Sequence, residues 1–195
     1  MKFFDDMEAR IEEDLELVTK NYDLRDKVEK GRNLAANDTH KPKECRLTRQ
    51  MVLESAMCEE LDDVETLMLR DKHITIFNDN LNDPSGQNLK LDDLVNIECL
   101  YASHNLIKDT FGVSQMTTLV ELNLSFNAIE DITGLEELTQ LRQLHLNHNK
   151  IAFIEAIRKL KGLKVLGLFA NKIMQSEDVM EILTSLPKLK ELSID

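Results

Sequence analysis

The chain has 195 residues, of which 42% are hydrophobic, 31% are charged and only 5% are aromatic. This composition fits one globular domain with an appendage, and it excludes collagenous, membrane-spanning and wholly disordered chains. The net charge of −12 argues against binding duplex nucleic acid through phosphate neutralisation, so we predict no direct contact with nucleic acid.

Residues 1–30 carry apolar side chains at alternating steps of three and four, a pattern that predicts an amphipathic helix. The apolar stripe packs on the protein's own repeats, docks on a partner or pairs as a coiled coil. We treat its members as a secondary partner contact. They are Phe4, Met7, Ile11, Leu15, Val18 and Tyr22. Residues 31–46 contain Gly31, Pro42 and several basic side chains, which predict a linker.

The N-terminal segment lacks the apolar run of a signal peptide, and no stretch of about 18 apolar residues follows. We therefore expect an intracellular, cytoplasmic protein without a membrane contact. Cys45, Cys58 and Cys99 are far apart in the chain and form no CxxC pair, so we predict neither a disulfide framework nor a zinc site.

From residue 64 onward, apolar residues recur at relative positions 0, 3, 5 and 10, usually with Asn at position 8. The rung that starts at Leu119 shows the full pattern. The six rungs start at Val64, Ile97, Leu119, Leu141, Leu163 and Leu189. Starts from the second to the fifth rung are 22 residues apart, so the sequence predicts a stack of similar coils.

Each coil can be interpreted physically. Leu-x-Leu predicts a short strand with one buried face, and the Asn amide is suited to bond backbone groups of its own and the neighbouring turn. After the Asn, apolar residues at three-residue spacing, such as Ile129, Ile132 and Leu135, predict a tight helical return on the convex side. The predicted fold is an α/β solenoid of about six rungs with a parallel sheet on its concave face.

These rungs resemble leucine-rich repeats of the 22-residue subclass found in the yeast-type regulator of protein phosphatase 1. Similar repeats occur in the spliceosomal leucine-rich A-prime protein, in acidic nuclear phosphoproteins, and in ciliary and dynein-associated proteins. The resemblance extends to both ends of the predicted repeat domain, residues 47–195. Residues 47–54 (LTRQMVLE) resemble the family's N-terminal cap helix, and residues 178–192 resemble its lengthened C-terminal capping repeat. Ser193-Ile194-Asp195 departs from the Asp-Gly that closes that cap in the family.

Residues 78–88 interrupt the coil between the first two rungs and predict a loop at one edge. No phosphate-binding loop, HExxH or GxSxG motif is present. We predict that the protein is not an enzyme and has no cofactor and no metal site. His104 and His148 lie two coils apart, about 10 Å, which is too far to share a metal ion.

The predicted strand register directs a mixed aromatic and polar strip towards the concave side, a composition typical of binding surfaces. The predicted partner-binding residues are Met68, Arg70, Tyr101, His104, Asn123, Phe126, His145, His148 and Phe169. Alternatively, Phe126 and Phe169 cover the edge of the core in the turn after the strand.

The leading hypothesis is a non-enzymatic scaffold or adaptor that binds a protein partner on the concave face and joins a larger complex. The resemblance implies a cytoskeletal or ciliary assembly first. It also leaves open a regulatory subunit of an enzyme such as a protein phosphatase, and a nuclear ribonucleoprotein component that grips an RNA-binding domain. The expected location is the cytoplasm, including the cytoskeleton or cilium, with the nucleus as the alternative.

Overall fold

A computed structural model describes residues 45–77, 89, 91–174 and 176–194. The chain divides into two units, Met1–Lys43 and Glu44–Asp195, and all described residues lie in the second. The predicted helix over 1–30 and the loop over 78–88 therefore lie outside the described residues, as does the predicted linker except for its last two positions.

The described residues contain one six-stranded parallel sheet whose strands follow each other in chain order, from β1 to β6. This confirms the predicted α/β solenoid. Each strand has three residues. The strands are β1 (Thr66–Met68), β2 (Cys99–Tyr101), β3 (Glu121–Asn123), β4 (Gln143–His145), β5 (Val165–Gly167) and β6 (Glu191–Ser193).

The central Leu of each strand faces the core, and its two neighbours face outward, because side chains alternate along a strand. The five leucines from Leu67 to Leu166 stack in register and are buried. The chain returns through short 3₁₀ turns, as the three-residue spacing predicts. These turns cover Leu61–Asp63, Leu91–Asp93, Phe111–Gln115, Leu135–Glu137 and Glu155–Lys159.

The Asn that recurs in four of the six rungs has a side chain that links neighbouring coils. The Asn149 amide donates to the carbonyl oxygens of Leu124 and Leu146, each at 3.0 Å, and its Oδ1 accepts from the Ile129 amide at 3.0 Å. Asn105 does more, because its Oδ1 accepts from the amides of both Lys72 and Ile74. Lys72 occupies the Asn position in the first rung, and Asn105 of the next rung thus bonds two backbone amides of the first coil.

Two α-helices flank the coils. Helix α1 (Arg49–Ala56) begins at Thr48, whose hydroxyl accepts from the Met51 amide, and it packs against β1 with Val52 fully buried. Helix α2 (Glu177–Thr184) begins at Ser176 and packs against the 3₁₀ turn Glu155–Lys159.

The last two residues of the predicted linker are attached to the first coil. Cys45 exchanges backbone and side-chain hydrogen bonds with Thr75, and Arg46 forms a parallel bridge with Ile76. Cys45 and Arg46 are therefore bonded to the first coil.

Candidate partner-binding face

Outward-facing strand residues form two rows across the concave face, because the strands pair in exact alignment of equivalent positions. The first row is Thr66, Cys99, Glu121, Gln143, Val165 and Glu191. The second row is Met68, Tyr101, Asn123, His145, Gly167 and Ser193. The predicted residues Met68, Tyr101, Asn123 and His145 thus lie side by side on four consecutive strands.

Beyond the strand ends, one turn position adopts left-handed backbone in five successive coils. The residues are Asp71, His104, Phe126, His148 and Ala170, with φ between 54° and 57° for four of them and 59° for Phe126. Because the same backbone conformation recurs in each coil, the side chains at this position follow one another along the solenoid.

Four rings form a continuous stack there, which we name the ring ladder: His104, Phe126, His148 and Phe169. Phe126 lies between two imidazoles, with ring centroids 4.5 Å from His104 and 4.2 Å from His148 and interplanar angles of 10° and 15°. Such separations match offset stacking of aromatic rings. Both faces of the Phe126 ring are therefore covered within the protein.

Phe169 ends the ladder with a different geometry. Ala170 holds the left-handed position in this coil, and the ring comes from the preceding residue, meeting His148 edge-on at 5.6 Å and 74°. Phe169 is 48% exposed. Among the ladder residues, Phe169 thus presents the largest fraction of its side chain to a partner.

Asn147 positions Phe169. Its Oδ1 accepts from the Phe169 backbone amide at 2.9 Å, and its side chain fills the space in front of Gly167. A Cβ at position 167 would lie 2.7 Å from Asn147 Nδ2, closer than ordinary van der Waals contact. Gly167 therefore leaves room for the amide that holds the end of the ladder.

Tyr101, Glu121 and His145 form an electrostatic group on the strands. The Tyr101 hydroxyl donates to the Glu121 carboxylate, and burial together with that negative charge raises the pKa of Tyr101. Burial lowers the pKa of His145, while Glu121 and Glu191 oppose this shift to a smaller extent. At neutral pH this part of the face therefore presents a phenol, a carboxylate and a neutral imidazole.

The other predicted residues lie at the margins of the same face. Met68 is 54% exposed on β1, and Arg70 forms an ion pair with Asp71 at 3.5 Å. The Asn123 side chain accepts from the Ser125 amide, so its amide group is fixed by its own turn. The predicted secondary contacts from Phe4 to Tyr22 lie outside the described residues.

Sequence reasoning missed the stacking of the ladder and the role of Asn147. A usable signal was present, since His104, Phe126 and His148 are each 22 residues apart, as the rungs are. Within the described residues, no group of three His, Cys, Asp or Glu side chains is placed to hold a metal ion. In the same residues, no helix is long and apolar enough to cross a bilayer.

The comparisons with known proteins agree with this architecture. The family described as "Leucine Rich repeats (2 copies)" matches residues 95–137. Two solved structures from Listeria monocytogenes are similar to the chain, an internalin (inlF) with TM-score 0.57 and internalin C2 (inlC2) with TM-score 0.52, each at 25% sequence identity. A search of curated proteins found no match.

The two similarities cover 69% and 66% of this chain, but only 35% and 51% of the respective internalins. The chain thus spans about a third and about half of their lengths. Together with the six-stranded sheet, these matches show that the chain has a leucine-rich repeat fold. The 22-residue subclass stays a prediction.

Proposed function

We propose that the protein is a non-enzymatic scaffold that binds a protein partner on its concave face, with the ring ladder and the adjacent strand residues as the contact. The observation that carries this proposal is the ladder itself. Four rings are stacked along the solenoid, and the last of them, Phe169, is half exposed.

The chemistry of the face supports a protein partner. Aromatic side chains dominate the binding energy of protein interfaces, because a rigid ring buries a large apolar area at a small cost in side-chain entropy. Around Phe169 and Met68, the strand positions supply hydroxyl, carboxylate, imidazole and amide groups that can pair with the polar rim of an interface.

The proposal also includes the place in the cell where the interaction occurs. The resemblance to ciliary and dynein-associated repeats favours a cytoplasmic assembly at the cytoskeleton or cilium, with the nucleus as the alternative. The amphipathic pattern of residues 1–30 supports a second contact that joins the scaffold to a larger complex.

The decisive test compares two exposed phenylalanines. Phe169 ends the ladder, whereas Phe153 is 82% exposed and lies outside the two strand rows and the ladder. F169D and F153D make the same chemical change at these two places. Partners captured by the wild-type chain in cells are identified, purified and titrated against both variants.

We expect F169D to weaken binding of a concave-face partner by more than about tenfold, the loss typical of a hot-spot residue, and F153D to leave it unchanged. Thermal melting of both variants verifies that the fold is intact. Equal affinity of F169D and wild type for every captured partner would contradict the proposal.

A second candidate function, regulation of an enzyme, is favoured by the distribution of charge. Residues 44–140 contain 19 acidic and six basic side chains, a net charge of −13. Such a surface is suited to clamp a basic rim around an active site. Inhibition assays with protein phosphatase catalytic subunits and the purified chain separate this function from a passive scaffold.

A further inference from the structure

A row of residues follows the edge of the sheet where the strands begin. One residue from each coil contributes, and consecutive members are joined by a backbone hydrogen bond of 2.7 or 2.8 Å from the amide of one to the carbonyl of the previous one. We name this the charged row. Its members, in order, are Glu65, Glu98, Val120, Arg142, Lys164 and Lys190.

The charge of this row changes sign along its length. Glu65 and Glu98 form an acidic end, and Lys164 and Lys190 form a basic end. All four are exposed, and none forms an ion pair with another described residue. Flanking side chains extend both blocks, since Asp62 and Asp63 precede β1 and Lys161 and Lys188 precede β5 and β6. The two middle members, Val120 and Arg142, are half buried.

The two ends cannot neutralise each other within one molecule. Adjacent strands are about 4.8 Å apart, so Glu98 and Lys164, three positions apart, are separated by about 14 Å. At physiological ionic strength the Debye length is about 8 Å, and charges at such a distance on an exposed surface are largely screened.

The acidic end of the charged row matches the basic end of a second, antiparallel copy of the same row. In a twofold pair of chains with antiparallel rows, Glu65 faces Lys190 of the second copy, Glu98 faces Lys164, and Val120 faces Arg142. A twofold interface brings each contact together twice, so every complementary pair counts double. The apolar Val120 side chains then lie beside the axis, and each Arg142 guanidinium is held by its own chain, since it donates to the Gly162 carbonyl oxygen at 3.2 Å.

We propose that the charged row is a homodimer interface, occupied by a second copy of this chain in antiparallel orientation. The charged row lies where the strands begin, one residue before the first row of the concave face, and the ring ladder lies beyond the opposite ends of the strands. Dimerisation therefore leaves the ladder open, and the inference is independent of the proposed concave-face partner.

The expected dimer is weak. The row spans five strand spacings, about 24 Å, and the contact falls below the roughly 1,200 Å² of a standard interface. Exposed ion pairs also contribute only modestly. We therefore expect a dissociation constant between micromolar and millimolar, and dissociation by salt. The net charge of −12 opposes association at very low salt, which sets the working range near about 0.1 M.

Sedimentation equilibrium of the full chain, up to about 1 mM protein, tests the proposal through charge reversal. At about 0.1 M salt we expect a monomer–dimer equilibrium, and at about 0.5 M salt a monomer. E98K and K164E should each weaken the dimer about tenfold, because each places two like-charged pairs in the interface. The double variant E98K/K164E restores opposite charges and should regain wild-type affinity within about threefold.

Matched controls are E130K and K172E, which make the same charge changes at exposed residues outside the charged row. Their dimer affinity should equal that of the wild type. The proposal is overturned if the chain is a monomer throughout, if E130K weakens the dimer as much as E98K, or if the double variant fails to regain affinity. None of these outcomes bears on the test at Phe169, so the two proposals fail separately.

Discussion

The two ends of the sheet are built differently. At β1, helix α1 packs over the strand, and the central Leu67 is completely buried. At β6, the equivalent Leu192 is 43% exposed, and both of its strand neighbours are exposed as well. The register pairs both leucines with a buried leucine of the adjacent strand, Leu100 and Leu166.

The difference shows where the stability of a stacked coil originates. The Leu-x-Leu pattern is not sufficient to bury the central leucine, because the side chain is buried only when another element packs on each side of its coil. Leu67 has α1 on one side and Leu100 on the other, whereas within the described part of the chain Leu192 is paired on one side alone, with Leu166. The same Leu-x-Leu pattern therefore yields a core residue at one end and a half-exposed one at the other.

The largest expected effect follows from truncating these two leucines to alanine. L67A should destabilise the fold by about 2–5 kcal/mol, the range for deleting a fully buried leucine, because it leaves a cavity between α1 and β2. L192A is the matched control, and we expect a loss below about 1 kcal/mol since the side chain is already partly hydrated. Urea denaturation gives both values, and equal losses would contradict the comparison.

A second, smaller difference in stability loss should separate two asparagines, Asn105 near the β1 end of the sheet and Asn171 near the β6 end. Asn105 is buried and accepts from two backbone amides of the first coil, whereas Asn171 is half buried and accepts from Ile151 alone. N105A should cost about 2–3 kcal/mol and N171A about 1 kcal/mol, because an unsatisfied buried group costs more than a hydrated one. A larger loss for N171A, measured by the same denaturation, would show that the second amide bonded by Asn105 adds no stability.

The smallest effect concerns pH in the middle of the sheet, at His145. Burial lowers its pKa in the folded state, so the unfolded chain takes up a proton first as the pH falls. The neutral His145 side chain makes its full contribution to the free energy of unfolding above the pKa of an unfolded histidine, about 6.5. This contribution is lost as the pH falls below that value. Glu121 and Glu191 limit the loss. Unfolding free energies of wild type and H145Q at pH 7.5 and 5.5 should converge towards the lower pH; parallel curves would contradict this.

Most of the architecture could be predicted from the sequence, because Leu-x-Leu and Asn at fixed spacing each have a local physical meaning. The six strands and the Asn bonds follow directly from that pattern. The hydrogen bond of the Lys72 backbone amide could not be predicted in the same way, because its acceptor, Asn105, belongs to the next coil. Likewise, the sequence places His104, Phe126 and His148 at equal spacing, but whether their rings stack depends on the turn backbone.

The residues of the candidate site could be predicted from the sequence. Which of them are covered within the protein and which are exposed to a partner could not be predicted. The residue list treats Phe126 and Phe169 alike, as either binding residues or core cover. The structure separates them, because imidazoles cover both faces of Phe126 while Phe169 remains half exposed. That distinction depends on Ala170, which occupies the turn position in the fifth rung, so that the last ring comes from the preceding residue; the exposure of this ring is visible only in the structure.

The left-handed turns have one more consequence. Bulky residues with positive φ are disfavoured by roughly 1–2 kcal/mol each, and glycine or asparagine would occupy these positions without that penalty. His104, Phe126 and His148 nevertheless hold them in three successive coils. Replacing Phe126 with glycine would therefore relax its turn and remove its ring at once. The chain tolerates conformational strain that keeps the imidazoles and the phenyl ring in contact. At this turn, the residues that would give the most stable backbone are therefore not the residues that build the proposed binding surface.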